Sequence, residues 1–401
     1  MYYDDWIMGS AKPGSYFVPV ATAVFSKAEE NEILETLRSG WITIGPRTKI
    51  FEENLQKYLG VKHAIAMSSC SAALHLSLIA AGVGRGDEVI TTTLTFAATV
   101  NAIIHTGATP VLVDIERDTL NISLEEVQRK ITKKTKAIIP VHYGGLPIDM
   151  DRLSKIAKKH KLIVIEDAAH AIGAKYKGKH IGSHSPLVCF SFHPVKNMTT
   201  GDGGAIVTND HKLAEKVNVL RVNGMSKDAW KRTSKEGNWD YSVVAPGYKY
   251  HMNDLAAALG IHQLKKLNNF IVTRRKIVDF YDRAFSKNEL IETRKNRAGI
   301  KGLKHAYNLY PILIDVDRIA ITRNEVMEHL KKRNIGTVVY YRPLHTQPYY
   351  KRAHGLDKKN FPNAEYVFKR LICLPLYAGM TLRDAAYVSR EVGKVLGDHR
   401  R

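Results

Sequence analysis

Between Lys62 and Thr208 the chain repeats one pattern, a short apolar run followed by a stretch with apolar residues at helical spacing. The runs are Ala64–Met67, Glu88–Thr92, Val111–Asp114, Ala137–Val141 and Leu162–Ile165. Ser71–Gly82, Phe96–Thr106 and Asp149–His160 read as helices, the first with Leu74, Leu78 and Ala81 on one face. Strands that are apolar throughout need cover on both faces, and interleaved helices supply it. The expected fold class is α/β, built on a doubly wound, mostly parallel sheet. Such sheets bind ligands beyond the carboxyl ends of their strands, so the residues just after each run matter most.

Gly203-Gly204 opens a further strand, Ala205–Thr208, which closes this region. A long helix over Asn253–Phe285 leads away from it, followed by a basic loop from Arg294 to Lys304. Beyond lie a strand at Tyr310–Asp315 and helices at Arg323–Arg333 and Arg383–Leu396. The expected division is a large domain over 1–265, carrying an N-terminal arm, and a smaller α+β domain over 266–401. No internal repeat is visible.

Composition narrows the functional classes. The chain has 401 residues, 44% hydrophobic and 25% charged, which excludes a disordered chain. Cys70, Cys189 and Cys373 are far apart and form no C-x-x-C, so neither a zinc site nor a disulfide framework is expected, and no metal. A reduced, cytoplasmic setting follows. No run approaches 18 apolar residues, and the first 15 residues lack a basic segment followed by an apolar one, so neither a membrane span nor a signal peptide is expected. Sixty Lys and Arg against 39 Asp and Glu leave a net charge of +21. These basic residues are spread along the chain, which disfavours nucleic acid as a partner and leaves a solvated basic surface or attraction of small anions.

Three segments point to chemistry. Ser68-Ser69-Cys70-Ser71-Ala72-Ala73 joins a strand to a helix start, where small residues allow an anion to approach backbone N–H groups; an ordinary serine cap is the other reading. Glu166-Asp167 ends a buried strand, and a carboxylate there needs a cationic or hydrogen-bonding partner. A protonated pyridine nitrogen would be one, with Asp167 keeping the ring an electron sink and Glu166 facing the opposite side. In Ser191-Phe192-His193-Pro194-Val195-Lys196, Lys196 sits among apolar and small residues, the setting in which an amine loses its proton and forms a Schiff base. Phe96 follows a strand end and suits stacking on an aromatic ring, or the core. His170 stands where it could donate to a phenolic oxygen, or serve structurally.

Taken in order, these segments resemble the DegT/StrS-type nucleotide-sugar aminotransferases, which use pyridoxal phosphate on the fold-type I scaffold. The resemblance runs from about Ser39 to Leu396. It is carried by Gly40–Pro46, Met67–Leu74, Gly86–Ile90, Thr135–His142, Glu166–His170, Ser191–Gly204, Gly247–Tyr250 and Pro343–Tyr350. It implies that Lys196 is the cofactor-bearing lysine and Asp167 the partner of the ring nitrogen. Phe96 would stack on the ring, and His170 occupies a position where the family uses Gln or His. Cys70 and Ser71 would hold the phosphate through their backbone and Ser191 through its hydroxyl. Lys249 lies in a segment that crosses to a second subunit, so the resemblance implies a homodimer with shared active sites. Many relatives carry Gly-Thr in place of Cys70-Ser71, and Asn in place of Lys249.

Within the family, the branch making UDP-4-amino-4-deoxy-L-arabinose is the nearest look-alike, on Trp41-Ile42-Thr43, Val141-His142-Tyr143, Asp228-Ala229-Trp230 and His345-Thr346-Gln347 among others. The implied reaction moves an amino group from L-glutamate to a keto-sugar nucleotide, with Trp41, Thr43, His193, Tyr341 and His345 as candidate sugar-pocket residues. A sugar dehydratase on the same scaffold would carry histidine in place of Lys196, a cysteine desulfurase would need a mobile nucleophilic cysteine, and a basic nucleic-acid binder would need no cofactor. The segment before Pro19 has no counterpart in the resemblance.

Overall fold

The computed structural model describes residues 13–226, 241–293 and 300–401. The motif Asp228-Ala229-Trp230, the first part of the basic loop and the start of the N-terminal extension lie outside these residues.

Two helices, α1 (Lys27–Arg38) and α2 (Pro46–Leu59), precede the sheet. Then come β1 (His63–Met67), α3 (Cys70–Ala80), β2 (Glu88–Thr92), α4 (Ala97–His105), β3 (Thr109–Val113), α5 (Leu124–Lys130), β4 (Thr135–Ile139), α6 (Met150–His160) and β5 (Ile163–Asp167). A small hairpin, β6 (Lys175–Tyr176) with β7 (Lys179–His180), leads to β8 (Leu187–Ser191), β9 (Gly204–Thr208) and α7 (His211–Leu220). Seven strands form one sheet in the order β1-β9-β8-β5-β4-β2-β3. Only β9 runs antiparallel to its neighbours, β1 and β8. This is the α/β, mostly parallel sheet expected from the alternation.

Among the differences from the sequence expectation, two concern the large sheet. The run Leu187-Val188-Cys189-Phe190-Ser191 is β8, buried at every position, and it was not anticipated as a strand. The third strand begins at Thr109 and so includes Pro110, which is tolerated because β3 is an edge strand paired only with β2.

The long helix α8 (Asp254–Phe285) is capped by Asn253, whose side chain accepts the N–H of Ala256. It serves two cores: Ala257, Ile261, Leu264, Leu267 and Ile271 pack with the large sheet, whereas Ile277, Val278, Tyr281 and Phe285 pack with the C-terminal region. That region contains a three-stranded antiparallel sheet of β10 (Ile291–Thr293), β11 (Tyr310–Ile314) and β12 (Leu371–Leu374). Helices α9 (Arg323–Lys331), α10 (Pro348–His354), α11 (Pro362–Arg370) and α12 (Leu382–Asp398) complete it. Val18, fully buried, belongs to this second core, pinned by exchanges with Asn334 and Gly336. The N-terminal arm therefore packs against the C-terminal region. Among the described residues, no helix is long and apolar enough to cross a membrane.

Candidate active site

The carboxyl ends of β1, β2, β5 and β8 converge on a cavity of about 450 Å³. Its lining includes Ser69, Cys70, Ser71, Phe96, Thr99, Asp167, His170, Ser191, His193, Lys196, Tyr340 and Tyr341.

Ser69 caps α3, its hydroxyl accepting the N–H of Ala72 at 3.1 Å. The next two N–H groups, of Cys70 and Ser71, find no acceptor among the described residues and stand at the positive end of the helix. Strand β9 approaches this turn so closely that a β-carbon on Gly204 would lie 2.6 Å from the Cys70 nitrogen. Glycine is required there for contact distance.

Asp167 is 5% exposed at the end of β5. Thr99 donates to one carboxylate oxygen at 2.8 Å, and the Ala169 N–H donates to the other at 3.1 Å. Because the Thr99 hydroxyl is thereby a donor, the Thr95 hydroxyl, 2.7 Å away, donates to it. Burial raises the Asp167 pKa, opposed by the Thr99 and Ala169 hydrogen bonds and by the charge of Lys196. Glu166 faces the other side, fully buried, with His142 Nε2 2.7 Å from its carboxylate.

Lys196 lies in the loop between β8 and β9. The loop is held from both sides: the Thr199 hydroxyl and the Thr200 N–H donate to the Phe192 carbonyl, and the Asn197 amide donates to the Ala306 carbonyl. Burial lowers the Lys196 pKa to about 8, against the opposing pull of Asp167. An amine so placed reaches its neutral, nucleophilic form near physiological pH.

Phe96 is 60% exposed, presenting its ring at the cavity although it heads a helix of the core. His170 is 4% exposed, and both ring nitrogens are engaged: Nδ1 lies 3.2 Å from the Gly144 N–H and Nε2 2.9 Å from the Tyr341 hydroxyl. His193 is exposed at the lining.

Four sequence candidates stand away from this cavity. His345 is buried at 1% exposure between Thr93 at 2.7 Å and Glu365 at 2.9 Å, with its ring stacked on Phe361. The Trp41 indole N–H is committed to the Ile44 carbonyl, shaping its own turn. Thr43 is exposed, and its carbonyl accepts the N–H of Asp254 at the start of α8. Lys249 is exposed, its backbone bridged to Val222. Conversely, Thr95, Thr99 and Tyr340 line the cavity without having been singled out; the i, i+4 spacing of the two threonines at a helix start was the available signal.

Residues 24–393 match the DegT/DnrJ/EryC1/StrS aminotransferase family. The chain belongs to that family. It is 44% identical over 384 residues to the spore coat polysaccharide biosynthesis protein SpsC of Bacillus subtilis, covering 95% of this chain and 98% of that one. It is 48% identical over 384 residues to the uncharacterized protein MJ1066 of Methanocaldococcus jannaschii, covering 96% and 99%. Among solved structures, the putative sugar aminotransferase Spr1654 of Streptococcus pneumoniae in its PLP form superposes with a TM-score of 0.88 at 33% identity, over 96% of this chain and 99% of that one. PseC of Helicobacter pylori, an aminotransferase of pseudoaminic acid biosynthesis, gives 0.88 at 31%, over 95% and 100%. Family membership makes this chain an aminotransferase with pyridoxal phosphate as cofactor, on the fold-type I scaffold. The cavity suits that group, with, for the phosphate, two N–H groups at a helix start that have no partner among the described residues, a buried carboxylate for a cationic ring nitrogen and an exposed phenyl face.

Proposed function

We propose that this DegT/DnrJ/EryC1/StrS family member transfers an amino group from L-glutamate to the keto group of a nucleotide-activated sugar. UDP-4-keto-pentose or a UDP-, dTDP- or GDP-linked 4-keto-6-deoxyhexose is the proposed acceptor. The observation that carries the reading is the meeting, in one cavity, of the Lys196 amine with its lowered pKa, the Asp167 carboxylate and the open N–H groups of Cys70 and Ser71. The names of SpsC and PseC, which speak of polysaccharide and pseudoaminic acid biosynthesis, support a sugar acceptor destined for a cell-surface polymer.

Bound there, pyridoxal phosphate supplies an electron sink for the α-carbon of the amino donor. Lys196 would hold that group through its amine and would serve as the base and acid for the proton at that carbon. Asp167 would hold the ring nitrogen, Phe96 would offer its face to the ring, and Cys70, Ser71 and Ser191 would receive the phosphate. His193, at the open lining, faces the incoming sugar. Trp41, Thr43 and Lys249, away from this cavity and at the surface, would serve the site of a second copy in a cytoplasmic homodimer. The surplus of cations favours entry of a sugar diphosphate and of glutamate.

The deciding experiment incubates the enzyme with glutamate and a panel of keto-sugar nucleotides. Amino-sugar formation with UDP-4-keto-pentose, and none with UDP-4-keto-6-deoxyhexoses, places it in the pentose branch. No amination of any keto-sugar nucleotide by an enzyme that loads the cofactor would refute the reading.

A further inference from the structure

One side chain grips the chain on both sides of Lys196. Asn308, 3% exposed, lies two residues before β11. Its Nδ2 donates to the Asn197 Oδ1 at 3.0 Å and lies 3.5 Å from the Val195 carbonyl. The orientation is forced from both ends, because the carbonyls of Val195 and Ala306 can only accept. The Ala306 carbonyl takes the Asn197 amide N–H at 2.7 Å, which turns the Asn197 Oδ1 toward Asn308. Behind Asn308 stands Arg274, 2% exposed, on α8 between Ile271 of the large core and Ile277 of the second one. Its Nη1 donates to the Leu376 carbonyl at 2.7 Å and lies 3.4 Å from the carbonyls of Tyr307 and Asn308. Its Nε is buried without a partner, and no carboxylate among the described residues opposes the burial that lowers its pKa to about 10. A buried cation without a counter-ion costs stability, and an apolar side chain of similar volume would fill the core as well. What Arg274 adds is a hold on the two segments that carry Asn308 and Leu376. The Leu376 N–H in turn donates to the Val20 carbonyl of the N-terminal arm at 3.0 Å.

We propose that Asn308, backed by Arg274, is the positioning residue that aims the Lys196 amine into the cavity. Neither Asn308 nor Arg274 belongs to the cavity lining, so both act through the residues before and after the lysine. The Thr199 and Thr200 bonds secure the loop beyond Lys196, whereas Asn308 secures its immediate neighbours. Lysine is a flexible four-carbon stem, so the direction of its first bond decides whether the amine stays among apolar walls or turns toward water. The same relay, from Val20 through Leu376, Arg274 and Asn308, couples the N-terminal arm and the C-terminal core to the site. The titratable groups that share the cavity lining with the Lys196 amine are Cys70, Asp167, His170, His193, Asp202 and Tyr341, and none of them bonds to Asn308 or Arg274.

This proposal rests on the aminotransferase reading, and its test separates the two. Apoprotein is mixed with pyridoxal phosphate over a pH series while the visible band of the lysine-bound cofactor grows in. The saturating rate and half-saturating concentration of the glutamate and keto-sugar half-reactions are then measured on the loaded enzyme. In Asn308→Ala the pH midpoint of uptake should rise by about one unit, because a loosened loop lets the amine reach water. The saturating rates of both half-reactions should fall about tenfold, since both move a proton through that amine, with each half-saturating concentration within about twofold of wild type. Arg274→Met should move both readouts the same way, Arg274→Lys should restore most of the loss, and the double variant should add nothing beyond the larger single effect. Ile277→Ala opens a cavity in the same helix away from the relay, and should leave midpoint and rates as in wild type. An Asn308→Ala enzyme with the wild-type midpoint and rates overturns the proposal alone, as do full additivity with Arg274→Met and an equal loss in Ile277→Ala. A wild type that forms no lysine-bound band sinks the aminotransferase reading, and this proposal with it.

Discussion

Two buried histidines, His170 and His345, are each held at both ring nitrogens, yet only one of them faces the cavity. At His345 burial lowers the pKa against the opposing effect of Glu365, so the ring is neutral: the Thr93 hydroxyl donates to Nδ1 and Nε2–H donates to the Glu365 carboxylate. That chain runs from a buried hydroxyl to a partly exposed carboxylate and joins the end of β2 to α11, clamping the C-terminal region to the large sheet. At His170 the chain begins on the backbone N–H of Gly144 and ends on the phenol of Tyr341, at the cavity. The difference lies in the last partner, and histidine itself is the same in both.

The most severe test of this contrast is at the cavity. Lys196→Ala should lower kcat by about 10²–10⁴-fold and abolish borohydride fixation of the cofactor, with His345 and its partners untouched. Residual turnover within tenfold of wild type would remove Lys196 from its role. At the clamp, His345→Ala orphans Thr93 and Glu365 and opens space against Phe361. We expect about 2–3 kcal/mol of lost stability in urea unfolding, with the cofactor's spectrum unchanged. A spectral shift there would place His345 at the cavity and erase the distinction between the two histidines. Thr99→Val should cost about tenfold in kcat, because one donor to Asp167 is lost, and Thr99→Ser should restore it. A further effect concerns pH. Between about 8 and the ordinary 10.5, the unfolded chain keeps a proton on Lys196 that the folded apoprotein has released, so folding gains stability as pH rises. Thermal melts of the apoprotein should therefore show Lys196→Met more stable than wild type below pH 8, with the gap closing above it. A gap independent of pH would mean that the Lys196 amine is not desolvated.

Much of the large sheet was legible, since apolar runs alternating with helical periods leave few other architectures. Strand β8 was not, because Leu187–Ser191 follows a polar turn at once and has no helix between it and β9 to mark its period. The candidate site was legible where a residue follows a strand end, as with Asp167 and Ser69–Ser71, or lies in a loop of uncommon composition, as with Lys196. Thr99 was hidden because a threonine within a helix start reads as ordinary. The placement of Val18 in the C-terminal core depends on a pairing more than 300 residues away, with Ile335.

The order of residues alone determined the parallel-sheet scaffold and the kinds of groups at its carboxyl edge: an amine, a carboxylate, a helix start and an aromatic face. The tertiary structure alone decided which hydrogen each of those groups has left to give. Which ring nitrogen of a histidine donates depends on what meets the other one, and at His170 and His345 the partners whose roles are set in this way, Tyr341 and Thr93, come from parts of the chain 171 and 252 residues away.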